Sequence, residues 1–159
     1  LAENRIISEK FSESSIGNFV AELRKDLFCD FQVVLEGLDS PNCAVLDARS
    51  ERRFKGLDPE PRPGVRSGHM PNAKNLPFPE VLNGGLLKSV SELQEIFVNL
   101  SLDHQDAIIT SCGSGITACI LTLAADVAGF SKLSVYDGSW AEWGLPGKLP
   151  VVSDLTNNA

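Results

Sequence analysis

The sequence has few residues that could bind a structural metal. It contains two histidines and four cysteines, and no two cysteines form a C-x-x-C pair. These residues are His69, His104, Cys29, Cys43, Cys112 and Cys119. Structural zinc sites need clustered Cys and His ligands, so we expect no metal. A chain of 159 residues can bury a core without disulfides. We therefore expect free thiols in a reducing compartment.

The chain also lacks a membrane-length apolar segment and an excess of positive charge. Its longest apolar stretch, 116–130, is interrupted by Asp126 and is shorter than the ~20 residues that span a bilayer. Twenty-one acidic against 14 basic residues give a formal charge of −7, which disfavours general binding to nucleic acid or anionic lipid. We expect a soluble protein with no nucleic acid or membrane partner. It is predicted to be cytoplasmic, or mitochondrial if the source is eukaryotic.

The N-terminal region predicts one amphipathic helix and no targeting signal. Residues 1–18 resemble neither a secretory signal peptide nor an Arg-rich transit peptide. Because the chain begins at Leu1 and not at Met, we expect a segment to precede it. Ser15 is a predicted N-cap for a helix whose apolar residues have helical spacing. These residues are Ile16, Phe19, Val20, Leu23 and Leu27.

The rest of the chain alternates predicted strands and helices. Buried-type strands are predicted at 43–47, 107–110 and 133–136, with a short strand near 73–76 in an otherwise irregular segment, 50–79. A capping box at Ser89 begins a helix whose apolar face is formed by Leu93, Ile96, Phe97 and Leu100. A further helix ends at Gly129 and carries a predicted apolar stripe. The stripe consists of Ile116, Cys119, Ile120, Leu123 and Val127. This alternation predicts one α/β domain with a parallel sheet flanked by helices on both faces.

Cys112 is the strongest candidate for a reactive residue. It follows a predicted strand and precedes the loop Gly113-Ser114-Gly115 and a helix. In open α/β sheets, ligands bind at the carboxyl ends of the strands. Glycines let the loop curl so that its N–H groups converge on one point, where they and the helix dipole stabilise a thiolate. Ser114 and Thr117 can add hydroxyl donors.

Other interpretations of this cysteine differ in how well they fit. A Cys-Gly pair alone is more often a buried cysteine before a turn, but the full strand–loop–helix string favours a functional site. A P-loop would need Gly-Lys-Ser/Thr, and a nucleophile elbow would need glycine where Cys112 stands. A cysteine phosphatase would need an arginine six residues after the nucleophile, where Ala118 stands.

A locally basic segment precedes this loop in the chain. Between Glu51 and Arg66 there are five basic and three acidic residues. Single surface arginines are usually only solvated, but a cluster on an irregular loop after a strand end suits ligand binding. Because the planar guanidinium of arginine binds carboxylates in a bidentate manner, the cluster predicts a small anionic ligand.

Six motifs in this order resemble the catalytic rhodanese domain of the 3-mercaptopyruvate sulfurtransferases. Together they cover roughly residues 44–144. The motifs are Leu46-Asp47-Ala48-Arg49, Arg53-Phe54-x-Gly56, Glu60-Pro61-Arg62-Pro63-Gly64, Ser67-Gly68-His69-Met70-Pro71, the 112–118 loop, and Tyr136-Asp137-Gly138-Ser139-Trp140-Ala141-Glu142-Trp143. The resemblance implies a rhodanese-like fold and transfer of sulfur from 3-mercaptopyruvate to a thiol or to cyanide, without a metal or organic cofactor.

The resemblance also implies roles for individual residues. Cys112 would be the nucleophile that becomes a persulfide, and Ser114 would assist proton movement. Arg53 and Arg62 would hold the carboxylate and keto oxygen of the substrate. The loop residues Gly113, Gly115, Ile116 and Thr117 would complete the substrate site. Thiosulfate-using relatives carry Arg and Lys after the nucleophile, so the neutral Gly113-Ser114 pair favours mercaptopyruvate.

Several neighbouring residues are predicted to support the structure. Asp47 and Arg49 are expected to form an ion pair under the site, and His69 to anchor a loop. Trp140 and Trp143 are expected to pack in the core, and Cys119 to be buried.

Members of this family usually have two such domains, with the cleft between them. We therefore divide the chain into an N-terminal helix and linker (1–43), a catalytic domain (44–153) and a tail (154–159). A second rhodanese-like domain and a thiol acceptor such as thioredoxin are expected partners. A non-catalytic persulfide carrier and a thiosulfate sulfurtransferase are the alternatives.

Overall fold

A five-stranded parallel sheet forms the centre of the molecule. The computed structural model describes residues 16–154. The strand order is β1-β7-β6-β2-β3, and every neighbouring pair is parallel. The sheet strands are β1 (Phe28–Cys29), β2 (Cys43–Asp47), β3 (Lys74–Asn75), β6 (Ala107–Ser111) and β7 (Leu133–Tyr136), while β4 (Leu82–Asn83) and β5 (Leu86–Leu87) form a separate antiparallel pair. The predicted fold class and the four predicted strands are confirmed.

Helices cover both faces of the sheet. They are α1 (Phe31–Leu38), α2 (Glu51–Phe54), α3 (Val90–Asn99), α4 (Ala118–Ala128) and α5 (Ser139–Trp143), with 3-10 turns at Lys25–Leu27 and Phe78–Val81. Neighbouring strand residues point to opposite faces, so Ile108 packs in a core with α3 and α4 while Ile109 packs with α1 and α5. In the described part of the chain, each helix is too short or too polar to cross a membrane.

Local capping signals determine where α3 begins and where α4 ends. The Ser89 side chain accepts from the Glu92 N–H and the Glu92 carboxylate accepts from the Ser89 N–H, as the predicted capping box requires. Gly129 ends α4 in the left-handed conformation with φ of 102°, where a glycine has no Cβ to clash. Both predictions are confirmed.

The predicted N-terminal helix is wrong. Residues 16–24 are exposed and have no regular structure, and Ile16 and Phe19 are 101% and 89% exposed. Ser15, its predicted N-cap, lies outside the described residues. An isolated helix of this length is marginal in water unless its apolar face packs against something. The helix that does form, α1, begins later because the Asp30 carboxylate accepts from the N–H groups of Gln32 and Val33.

Residues 28–38, which precede the predicted catalytic domain, also pack against the sheet and its core. Strand β1 pairs with β7 through Phe28↔Val135 and Cys29↔Tyr136. Val34 of α1 is fully buried in the core on that face. At the other end, the Asp154 N–H donates to the Lys55 carbonyl.

The predicted apolar stripe of α4 is also wrong. Ile116 and Leu123 are 76% and 54% exposed, and Cys119 is exposed although burial was predicted. The buried face instead consists of Ala118, Leu121, Ala124, Ala125 and Ala128. Small alanine side chains let a helix approach a sheet closely, so the alanine-rich face lies inward, while Ile116 and Leu123 lie at the surface.

Candidate active site

Cys112 lies at the carboxyl end of the central strand. It directly follows β6, which lies between β7 and β2 in the sheet. The loop 112–117 then leads into α4 at Ala118. The carboxyl ends of β2 and β7 meet at the same edge, so the residues after these strands surround the thiol.

The Cys112 thiol is buried and its anion is stabilised by the loop. The residue is 2% exposed. Burial alone would raise its pKa, but hydrogen bonds from the Thr117 hydroxyl and from the N–H groups of Ser114, Ala118 and Thr117 outweigh burial and lower the pKa below its ordinary value. The predicted convergence of donors is therefore present. A lowered pKa makes the thiolate, the nucleophilic form of cysteine, more available at Cys112 than at an ordinary cysteine.

Two glycines allow the loop to pack closely against its neighbours. Gly115 has φ of +86°, and a Cβ there would lie 3.1 Å from both the carbonyl and a carboxylate oxygen of Asp137. A Cβ on Gly113 would lie 3.2 Å from Nη2 of Arg53. The absence of a side chain at 113 is thus what brings the Arg53 guanidinium against the backbone next to the nucleophile.

A chain of buried ion pairs holds Arg53 in this position. Asp47 pairs with Arg49 at 2.6 Å, and Arg49 also donates to Glu60 at 3.0 Å. Glu60 in turn accepts from Arg53 at 2.6 Å. The Arg49 side chain is 1% exposed, donates to the Gly68 carbonyl at 2.8 Å, and lies 4.1 Å from the ring centre of Trp140. The Asp47–Arg49 pair is the one expected from the sequence.

Glu60 is a residue that sequence reasoning missed. Its side chain is 4% exposed and bridges Arg49 and Arg53. In the sequence, Glu60 is only one of three acidic residues that lower the net positive charge of residues 51–66. Its position two residues before Arg62, at the start of the motif, is the one signal that pointed to it.

A cavity of about 200 Å³ opens beside the loop. It is lined by Arg53, Glu60, Pro61, Arg62, Val65, Gly113, Ser114 and Ala141. The structure thus brings together four of the predicted site residues in one cavity. Gly115, Ile116 and Thr117 lie in the same loop but do not line it, and the Ile116 side chain is exposed to solvent.

Most cations of the basic segment are already engaged. Arg52 pairs with Asp58 at 2.7 Å, and Lys55 pairs with Glu51 at 2.6 Å. Arg66 donates to backbone carbonyls, including that of Trp143 at 3.0 Å. Arg62 is exposed, and its side chain forms neither an ion pair nor a hydrogen bond with residues 16–154. Arg62 is therefore the cavity cation that is free to bind an anion.

Helix α5 is attached directly to the nucleophile's backbone. The Cys112 N–H donates to the Ser139 hydroxyl at 3.1 Å. The N–H groups of Trp140 and Ala141 donate to the carbonyls of Cys112 and Gly113, each at 2.9 Å. Sequence reasoning did not single out Ser139, because nothing local links it to a residue 27 positions earlier.

The remaining predicted supports lie around the site. His69 Nδ1 donates to the Phe54 carbonyl at 2.8 Å, and the two rings stack 4.0 Å apart. Trp140 and Trp143 are fully buried, which confirms their predicted packing. Across residues 16–154, three or more His, Cys, Asp or Glu side chains are nowhere grouped so as to bind a metal ion.

Comparison with known proteins places this fold and site in one family. The model of the rhodanese-like domain matches residues 30–145. A 3-mercaptopyruvate sulfurtransferase from Mus musculus is 42% identical over 144 residues, which are 90% of this chain and 48% of the mouse protein. The 3-mercaptopyruvate sulfurtransferase of Escherichia coli strain K12 is 36% identical over 149 residues, which are 94% of this chain and 53% of that protein.

A solved structure agrees with these sequence matches. The crystal structure of SseA from Escherichia coli, described as one of the 3-mercaptopyruvate sulfotransferases, superimposes with a TM-score of 0.72 at 30% identity. It covers 87% of this chain and 52% of SseA. The chain thus spans about half the length of the curated relatives it matches. Its parallel sheet, its cysteine loop and these matches show that the chain belongs to the rhodanese-like domain family.

Proposed function

We propose that this chain is the catalytic domain of a sulfurtransferase that takes sulfur from 3-mercaptopyruvate and releases pyruvate. The observation that carries the proposal is the Cys112 thiol, whose pKa is lowered by the loop, beside a cavity that contains the free cation Arg62. The similarity to curated 3-mercaptopyruvate sulfurtransferases supports the choice of substrate.

The reaction begins with attack by the Cys112 thiolate on the thiol sulfur of mercaptopyruvate. A sulfur–sulfur bond forms and the carbon–sulfur bond breaks, and its electron pair remains on carbon as the enolate of pyruvate. The proton of the substrate thiol leaves for the enolate, so the products are pyruvate and a Cys112 persulfide. The Ser114 hydroxyl, in the cavity wall, would carry this proton. Donors near the keto oxygen stabilise the developing enolate, a contribution of about 3 kcal/mol per donor.

Charge in the cavity favours a carboxylate. Arg62 would bind the substrate carboxylate through its planar fork, and Arg53, fixed by Glu60 beside Gly113, would face the keto oxygen. Gly113 and Ser114 contribute no charge behind the nucleophile. A dianion such as thiosulfate therefore finds less compensation here than a substrate whose charge lies at the arginines.

The second half of the reaction transfers the outer sulfur to a thiol acceptor. A reduced thioredoxin, or cyanide in the test tube, would remove it and restore the Cys112 thiolate. A second rhodanese-like domain is a proposed partner, because the chain spans about half the length of its relatives.

Pyruvate release tests the proposal. We expect the chain, given 3-mercaptopyruvate and a thiol acceptor, to release pyruvate, and Cys112→Ser to abolish this release because it removes the nucleophile. Cys119→Ser is the matched control, because Cys119 is an exposed thiol on α4 outside the cavity. Equal pyruvate release from wild type and Cys112→Ser would refute the assignment.

A non-catalytic persulfide carrier is the second candidate. It is favoured by the position of Cys112, which is 2% exposed and does not line the cavity that contains Arg62. Mass spectrometry distinguishes the two. A Cys112 persulfide formed from mercaptopyruvate alone supports the enzyme, whereas a persulfide that forms only with a donor protein supports the carrier.

A further inference from the structure

We propose that Ser139 is a positioning residue that orients the backbone of the nucleophile loop toward the Cys112 sulfur. The proposal deepens the proposed function and rests on Cys112 being its nucleophile. It follows from the hydrogen bonds that anchor the first two peptide units of the loop to helix α5.

Four backbone groups between the end of β6 and Gly113 are bound by partners outside the loop. The Ser111 carbonyl accepts from the Ala48 N–H at 2.8 Å. The Cys112 N–H donates to the Ser139 hydroxyl at 3.1 Å. The carbonyls of Cys112 and Gly113 accept from the N–H groups of the two residues after Ser139. The loop backbone is thus held by Ala48, just after β2, on one side and by α5 on the other.

This anchoring decides where the loop N–H groups point. In a planar trans peptide, the carbonyl and the following N–H point in opposite directions. The Gly113 carbonyl is held toward α5, so the Ser114 N–H points away from α5. That N–H is one of the donors to the Cys112 sulfur. The α5 contact therefore aims a donor at the nucleophile without touching the sulfur itself.

The backbone of Ser139 is adapted to this task. Its φ is +49°, a left-handed conformation that is rare for a residue with a side chain. It is fully buried, and its hydroxyl donates to the Tyr136 carbonyl at 2.9 Å while accepting from Cys112. Such strained conformations persist only where the surroundings determine them, and they concentrate at functional sites.

The charged groups facing the loop come from other elements and do not depend on Ser139. They are Arg53 of α2, the cavity residues Glu60 and Arg62, and Asp137 at the end of β7. Loss of the Ser139 hydroxyl frees the Cys112 N–H and so loosens the peptide units that follow it, while these charges stay in place.

The test measures the pH dependence of Cys112 alkylation by iodoacetamide, with fragment mass spectra separating Cys112 from Cys119. In Ser139→Ala, we expect the Cys112 rate at about pH 6.5 to fall about tenfold, because less thiolate is present. The Cys112 rate at about pH 10 should stay within about twofold of wild type, since the Cys112 thiol is then ionised in both proteins. Ser139→Gly should give the same profile, and because glycine adopts positive φ without strain it keeps the test valid if Ser139→Ala fails to fold.

Thr110→Val is the matched control. It removes another fully buried hydroxyl, that of Thr110 in β6, which bonds to Thr122 of α4 at 2.7 Å. Its Cys112 profile should match wild type. A folded Ser139→Gly with a wild-type Cys112 profile would overturn the proposal. Because the assay contains no mercaptopyruvate, failure of the proposed function leaves this result unaffected.

Discussion

At the scale of single residues, the availability of a charge matters more than its presence in the sequence. Arg52, Lys55 and Arg66 all lie in the basic segment, yet each is engaged by a carboxylate or by backbone carbonyls. Arg53 lines the cavity but shares its charge with Glu60. Arg62 keeps its charge for a ligand, so substrate binding should depend on it most strongly.

Arg62→Ala should therefore weaken use of mercaptopyruvate far more than use of thiosulfate. A hydrogen bond to a charged group contributes about 1.5–3 kcal/mol, so we expect kcat/KM for mercaptopyruvate to fall about tenfold to a hundredfold. Thiosulfate has no carboxylate for the guanidinium fork and should be affected much less. Steady-state assays with both donors measure this. Arg52→Ala, an exposed arginine outside the cavity, is the control, and equal losses for both donors would remove the substrate assignment.

Glu60→Gln should destabilise the fold as well as the site. It removes the charge that joins Arg49 and Arg53, and loss of one member of a buried ion pair costs about 3 kcal/mol or more. Urea unfolding should show this loss, together with reduced sulfur transfer as Arg53 leaves Gly113. Glu51→Gln, in an exposed pair with Lys55, should leave stability nearly unchanged. A Glu60→Gln protein as stable as Glu51→Gln would contradict the bridging role.

At the scale of elements, α4 shows that apolar spacing predicts a helix more reliably than it predicts the buried face. The helix has two apolar faces, one with large residues and one mostly of alanines. The alanine-rich face packs on the sheet. The packing of α4 on the sheet therefore depends on the close approach that alanines allow, while larger residues such as Leu123 lie at the surface.

Paired substitutions on α4 measure which face is buried. Leu121→Ala should cost about 2–5 kcal/mol, because Leu121 is fully buried and its truncation leaves a cavity. Leu123→Ala should cost less than about 1 kcal/mol, since this side chain is 54% exposed. Urea unfolding of both variants provides the comparison. Equal losses, or a larger loss for Leu123→Ala, would contradict the orientation of α4 described above.

At the scale of the whole molecule, stability should decline in alkaline solution. Burial, and then the hydrogen bond to Glu142 and its charge, raise the pKa of Tyr136 far above its ordinary value. The neutral phenol is thus favoured in the folded chain. Its contribution to stability is present below the unfolded pKa of about 10 and is lost as the pH rises above it. Burial likewise raises the pKa of Cys29 and Cys43, which act in the same direction.

Tyr136 is the single tyrosine of the chain, so tyrosinate absorbance reports on it directly. We expect tyrosinate to appear only together with the loss of far-ultraviolet circular dichroism. Tyr136→Phe should lose less stability between about pH 8 and pH 11 in urea unfolding, because phenylalanine does not titrate. Tyrosinate that forms near pH 10 in a chain that remains folded would contradict this account.

The strands and the nucleophile loop were predictable because their signals are local. The runs at 43–47 and 107–111 are apolar and bounded by turns, and the capping box at Ser89 specifies a helix start within four residues. The Cys112 loop combines a strand end, two glycines and a helix start within one short segment. The N-terminal helix was mispredicted, because its spacing lacked a surface to pack against.

The sequence by itself determined the α/β class, the position of Cys112 and the identity of the arginines near it. Tertiary structure decided which arginine stays free, that Glu60 bridges two others, that alanines form the inner face of α4, and that Ser139 binds the nucleophile's backbone. These properties depend on partners that are distant in sequence, such as Ser139 with Cys112 or Arg66 with Trp143. Hydrogen bonds and ion pairs act only at short range, so folding had to bring such residues together before their roles could be assigned.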